Sequence, residues 1–392
     1  MMPSAHLPLS VPCLKGNELR YVSECIETEW VSSVGKYVSE FETRFSDYLG
    51  TPGAVAMVNG TASLHIALKL AGVGPDDEVI VPTVTFVAPV NTVRYCGAHP
   101  IFADCDAYLN IDLEKVTDFL ATKCDKTPMG ARNRETGRLI KACIIVHIFG
   151  MPVNIVPFLT TFKAWGISIV EDSTEALGSF YRNIDGQKKM AGTVGEYGCF
   201  SFNGNKIITT GGGGMLVAQD PQNLAFAKYL STQAKDDELY FVHNHIGYNY
   251  RLTNVQAAIG VAQMEMLPTF VDKKRRNFRT YRRMLASVDQ VSLIEEPDYA
   301  FSNCWYYALV LENGSDRAAL MEALKLSGIE TRPIWYLQHL QKPFQGSFLL
   351  PIETALNLYD RILNIPCSVS LSEDDIVRVC EGIATFYEKR HQ

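Results

Sequence analysis

Short β-branched runs alternate with helical patterns through the first two-thirds of the chain, and no other feature narrows the fold as far. Val79–Val81, Ile101–Ala103, Cys143–His147, Ile167–Val170 and Cys199–Phe202 read as strands. Leu64, Ala67, Leu68 and Ala71 keep the i, i+3, i+4, i+7 spacing of a buried helix face. Such alternation predicts a mostly parallel sheet covered by helices on both faces. Ligands of these sheets sit beyond the C-terminal ends of the strands, where loops lead into helices. From about Thr253 the texture changes. A long helical stretch runs through Gln256–Met266 and past Lys273, followed by Cys304–Leu311 as strand and Asp316–Leu326 and Glu373–Tyr387 as helices. We therefore read a large α/β domain over 1–252 and a smaller α+β domain over 253–392. Lys123–Arg138, polar and carrying Pro, Gly and Asn, reads as a surface insertion.

Composition excludes several classes of function. The net charge of −7 gives no whole-protein field favouring nucleic acid or an anionic membrane. The densest basic run, Lys273–Arg276, reads as a solvated helix face. None of the 10 cysteines forms a CxxC pair, so no metal site is expected, and the thiols fit a reducing cytoplasmic location. The N-terminal stretch lacks a basic region and is broken by prolines, unlike a signal peptide. No apolar run reaches the ~18 residues of a membrane span.

Chemistry concentrates around "FSFNGNKIITTGGGGMLV", Phe200–Val217. Lys206 precedes the glycines, so GxxxxGK[ST] is absent; GxSxG and HExxH are absent too. A lysine held in a rigid setting can be a nucleophile toward a carbonyl. The glycines would let the backbone pack closely under a flat ligand and turn into a strand at Met215–Ala218. Taken alone, a surface lysine is the commoner reading. Three segments shift the balance. In "VEDSTEALGS" Asp172 follows an apolar strand; it is either a helix N-cap or a buried carboxylate needing a cation, which a protonated pyridine nitrogen supplies. In "VNGTASLHIAL" Gly60, Thr61 and Ala62 open a helix, whose free amides and dipole favour phosphate, although many helices begin this way. In "GYNYRLTNVQAAIG" Thr253 and Gln256 make a capping-box pattern, leaving Asn249 and Arg251 on the preceding loop.

Together these stretches resemble the DegT/DnrJ/StrS family of sugar aminotransferases, from about Leu7 to the final helix. "SFNGNKIITTGGGGM", "GYNYRLTNVQAAIGVAQME", "ETRPIW" and "WVSSVGKYVSEFE" are similar to the 4-aminotransferases of the bacillosamine and legionaminic acid pathways, which act on UDP-4-keto-6-deoxy-N-acetylglucosamine. The resemblance implies an aspartate-aminotransferase-like fold (fold type I), pyridoxal 5′-phosphate as cofactor, L-glutamate as amino donor and a homodimer with shared sites. It makes Lys206 the lysine that bonds the cofactor and Asp172 the partner of its ring nitrogen. Glu175 faces the phenolic oxygen, where many members carry Gln. Phe86 stacks on the ring, while Gly60, Thr61 and Ser201 cradle the phosphate, with Asn249 reaching it from the other subunit. Arg332 and Trp335 fall near the sugar nucleotide, and His147 aligns with a family histidine that belongs either with the substrate-binding residues, as support behind them, or with the core. Two rival readings are a cofactor-dependent sugar dehydratase, whose deoxygenating branch replaces the lysine with histidine, and a non-enzymatic cofactor-bound regulator.

Overall fold

The computed structural model describes residues 6–184, 186–237 and 239–390. Its centre is a sheet built on β1 (Ala54–Met57), β2 (Glu78–Pro82), β3 (His99–Ala103), β4 (Leu139–Val146), β5 (Ser168–Asp172), β6 (Tyr197–Ser201) and β7 (Gly214–Ala218). The strands lie side by side in the order β1-β7-β6-β5-β4-β2-β3. Every pair is parallel except those made by β7. Strands β2 and β7 are buried at every position, as expected where helices cover both faces. That accounts for the unbroken apolar runs Val79–Val81 and Met215–Ala218, with no polar alternation.

Only Gly214 allows β7 its position. A Cβ there would lie 2.5 Å from the carbonyl carbon and oxygen of Asn59, immediately before the helix Gly60–Leu70. The approach served by this glycine is thus to backbone, and it brings the lysine turn and that helix start together.

The long helix Asn254–Leu285 begins with the Thr253/Gln256 capping box, both of whose hydrogen bonds are formed. It packs against the helices Glu18–Glu27 and Lys36–Leu49 and against the C-terminal helix Glu373–Glu388. A second, antiparallel sheet follows in the order Val291–Leu293, Tyr307–Leu311, Ile362–Ile365, Arg332–Pro333. Its core includes Leu309, Leu320, Leu324 and Ile383. The two sequence halves interleave. Leu7 bridges to Ile329 in the smaller unit, and Phe348–Leu349 pairs with β3 in the large sheet.

The surface insertion over Lys123–Arg138 is a mostly exposed hairpin, Cys124–Thr127 and Gly130–Asn133, paired to β4, with Asn133 buried and its amide on Glu78. Two expectations need correction. Lys273–Arg276 is not a uniformly solvated face, because Lys274 is 3% exposed and donates to the Trp305 carbonyl at 2.5 Å. The strand expected from Cys304 starts at Tyr307, since Cys304 has φ 54°, which a strand cannot accommodate.

Candidate active site

Strands β4, β5 and β6 run parallel and in register, so their C-terminal ends open onto one edge of the sheet. Asp172 closes β5 and Ser201 closes β6. Asp172 is 3% exposed and accepts the Thr174 amide at 3.1 Å. Among the described residues no basic side chain forms an ion pair with it. Burial drives its carboxyl pKa up, against the hydrogen bonds of Thr174 and the more distant charges of Lys206 and His147. A buried carboxylate short of a cation suits a ligand that brings one.

One turn beyond Asp172, Glu175 is buried as well. Its Oε2 accepts the Phe149 amide at 2.8 Å, and its Oε1 lies 3.5 Å from Lys206 Nζ. Burial pushes the Glu175 carboxyl up to about 7, with Lys206 opposing the rise. The carboxyl therefore carries a proton part of the time near neutrality, and it can donate to an acceptor as well as pair with the lysine.

Lys206 sits in the turn from β6 to β7. Buried Ile207 and Ile208 root the turn in the core, and Thr209 donates its amide to Gln263 at 3.1 Å. On the other side, Trp305 Nε1 donates to the Asn205 carbonyl at 2.7 Å, and Asn205 Nδ2 donates to Tyr306 Oη at 3.1 Å. Lys206 Nζ then lies 4.2 Å from the centre of the Trp305 ring, a cation–π distance. Trp305 and Tyr306 are stacked at 3.9 Å and 5°.

The helix Gly60–Leu70 starts against the ends of β5 and β6. The Asn59 side chain accepts the Ala62 amide at 2.8 Å and the Asn59 carbonyl accepts that of Ser63 at 3.2 Å. The amides of Gly60 and Thr61 are left without a partner among the described residues, as the first amides of a helix are unless something caps them. A Cβ on Gly60 would stand 2.9 Å from Ser201 Cβ and 3.0 Å from Thr174 Cγ2, so these segments converge closely. Two free amides at a helix start, a nearby hydroxyl, a lysine and a buried cation-seeking carboxylate fit a phosphorylated pyridine aldehyde.

Phe86, 54% exposed, sits just before the helix Val87–Tyr95, with its ring edge-on to Trp335 at 6.5 Å. Trp335 in turn lies 5.0 Å from Phe149. Arg332 is exposed and paired with Glu330 at 3.0 Å. Asn249, also exposed, forms a bridge with Thr232. No hydrogen bond or ion pair links it to Lys206, Asp172 or Glu175 among the described residues.

His147 belongs to the core and not to the substrate contacts. It is fully buried, its Nδ1 accepts the Val153 amide at 3.0 Å and its Nε2 meets Glu171 at 2.9 Å. With both ring nitrogens engaged inside the protein, it cannot contact a substrate. Glu171 also accepts the amides of Gly192 at 2.8 Å and Val194 at 2.7 Å, so the pair braces the strands beneath the site.

Sequence reasoning missed Trp305, Tyr306, Asn205 and Phe149. The aromatic run Trp305–Tyr307 was the available signal, but as a strand it implied alternating faces, whereas Trp305 and Tyr306 stack on each other.

Residues 12–384 match the DegT/DnrJ/EryC1/StrS aminotransferase family. The chain belongs to this family. It is a sugar aminotransferase with pyridoxal 5′-phosphate as its cofactor. Similar proteins include the GDP-perosamine synthase of Escherichia coli O157:H7, 35% identical over 387 residues, covering 98% of this chain and 100% of the relative. The GDP-perosamine synthase of Caulobacter vibrioides is 35% identical over 383 residues, covering 96% and 97%. Among solved structures, the aminotransferase TlmJ from Streptoalloteichus hindustanus superimposes with a TM-score of 0.87 at 28% identity, covering 98% of this chain and 100% of that one. No described helix of the aminotransferase is long and apolar enough to cross a membrane.

Proposed function

We propose that the aminotransferase moves the amino group of L-glutamate to C4 of UDP-4-keto-6-deoxy-N-acetylglucosamine, giving the UDP-4-amino-4,6-dideoxy sugar. The observation that carries the chemistry is the buried Asp172, without an ion-pair partner among the described residues, three positions before Glu175, which lies 3.5 Å from Lys206. When bound, pyridoxal phosphate supplies an aldehyde that bonds an amine and a ring that withdraws electrons from the attached carbon.

In this reading the protein does the rest. Asp172 holds the ring nitrogen protonated. Gly60, Thr61 and Ser201 would hold the phosphate, and Phe86 would pack against the ring. Lys206 carries the cofactor at rest, then takes the proton from the donor's Cα and later returns one to C4 of the sugar. Glu175, close to Lys206 and titrating near neutrality, holds or releases a proton beside it. The Trp305 face receives the lysine's cationic form. Arg332 and Trp335 line the approach of the sugar nucleotide.

Support for UDP comes from the stretches "ETRPIW" and "GYNYRLTNVQAAIGVAQME" and their likeness to the UDP-sugar enzymes. The GDP-perosamine synthases, at 35% identity along the whole chain, favour a GDP-linked ketosugar as the second reading. Incubating the loaded enzyme with glutamate and UDP-, GDP- or dTDP-4-keto-6-deoxysugars, with mass spectrometry of the products, decides between them. A higher kcat/KM for the GDP or dTDP ketosugar overturns the UDP assignment.

We also propose a homodimer whose sites are shared, with Asn249 acting on the partner's cofactor phosphate. Its loop exposes apolar bulk that a lone chain would leave in water: Tyr240 is 77% exposed and Ile246 86%.

A further inference from the structure

Outside the Lys206 site lies a cavity of about 140 Å³. It shares the walls Phe149 and Tyr306 with that site, but Lys206, Asp172 and Glu175 do not line it. Its floor is apolar, with Leu109 and Ile148 beside the two aromatic rings. A dry cavity of ~150 Å³ takes a molecule as large as benzene, so one ring or a branched chain fits.

The mouth is cationic. Arg275, Arg279 and Arg282 line it from one face of the long helix, at the i, i+4, i+7 spacing that stacks side chains. Arg275 is paired with Glu296 at 2.6 Å and Arg282 with Glu295 at 2.6 Å. Glu296 also takes Arg182 at 2.5 Å. Both mouth carboxylates are thus committed, while Arg279 has no ion-pair partner among the described residues. An apolar floor under a surplus guanidinium selects an apolar body carrying an anion.

Phe149 links this cavity to the chemistry. It holds φ 54° and ψ 23°, a left-handed conformation costly for an aromatic residue. Its ring forms the shared wall, and its amide fixes Glu175 at 2.8 Å. A ligand pressing on that ring acts on the hydrogen bond that sets the carboxyl beside Lys206.

We propose that this cavity is a second binding site, for a compact amphipathic anion with one ring or branched body and a single carboxylate or phosphate, and that its occupancy reaches Glu175 through Phe149. The test uses enzyme saturated with pyridoxal phosphate and titrates phenyl phosphate, with benzoate in a parallel arm, by calorimetry and by the pH midpoint of the cofactor's visible absorbance. The expected result is saturable 1:1 binding of at least one probe, with the cofactor retained. Arg279→Gln, a surface change, should weaken it about tenfold, the worth of one charge-assisted hydrogen bond. Ile294→Trp, which fills the rim, should block it. At the probe concentration that half-saturates the wild type, the absorbance midpoint should move in the wild type and move several-fold less in Arg279→Gln, where occupancy is lower. Absence of saturable binding by either probe up to about 10 mM, equal affinity in Arg279→Gln, or displacement of cofactor by the probe overturns the site. Binding with an unmoved midpoint overturns the coupling through Phe149. All these outcomes are independent of which sugar nucleotide the enzyme uses.

Discussion

Glu175→Gln isolates one titration inside the site. The folded carboxyl has a pKa of about 7 against an ordinary 4.5, chiefly because burial penalises its charge. Below 4.5 both folded and unfolded chains hold the proton. Between 4.5 and about 7 only the folded chain holds it, so raising the pH through this window withdraws stability. The difference between 4.5 and about 7 is worth about 3 kcal/mol at most, at 1.36 kcal/mol per pH unit. Glutamine is close in shape and still accepts the Phe149 amide, but it does not titrate. Asp106, whose carboxyl burial raises to about 6, contributes in the same direction in both proteins and cancels in the comparison. Urea unfolding of the cofactor-free proteins at pH 5 and pH 8 measures the effect. Wild type should lose up to about 3 kcal/mol more than Glu175→Gln between these values. Identical pH dependence in the two proteins would refute the assignment of a raised pKa to Glu175.

Four further outcomes are expected. Asp172→Asn should slow the half-reaction with glutamate at least 100-fold, roughly the value of removing one preorganised charge, and a stopped-flow rate within tenfold of wild type contradicts this; Lys206→Ala should retain cofactor and lose turnover. Trp305→Leu removes a cation–π contact worth about 0.5–2 kcal/mol and the indole hydrogen bond to the Asn205 carbonyl, so the half-reaction with glutamate should slow, and a stopped-flow rate equal to wild type means the ring does not position Lys206. Mixed dimers of Lys206→Ala and Asn249→Asp chains should recover about half of wild-type activity, because one of two symmetric sites is whole, and verified heterodimers no better than either parent would show that Asn249 does not act across subunits.

Much of the fold was legible because its signals are local. β-branched runs announce strands, Thr253 and Gln256 announce a helix start, and Gly60–Thr61 announce another. Each depends on neighbours within one turn of chain. Lys206 and Asp172 stood out for a related reason: a charged residue held in an apolar or glycine-rich setting is conspicuous in one dimension. The tertiary structure decided what those charges meet. Trp305 and Asn205 lie 100 positions apart and are joined by an indole hydrogen bond. Phe149 fixes Glu175 from 26 positions away. His147 became a core residue because Glu171 and the Val153 amide take both of its nitrogens. Burial, which raises the Glu175 carboxyl to about 7, is the sum of everything packed around it. Sequence specifies which groups exist and which way the local backbone runs. Proximity and desolvation come from chain segments far apart in sequence, so only the packed structure could set them.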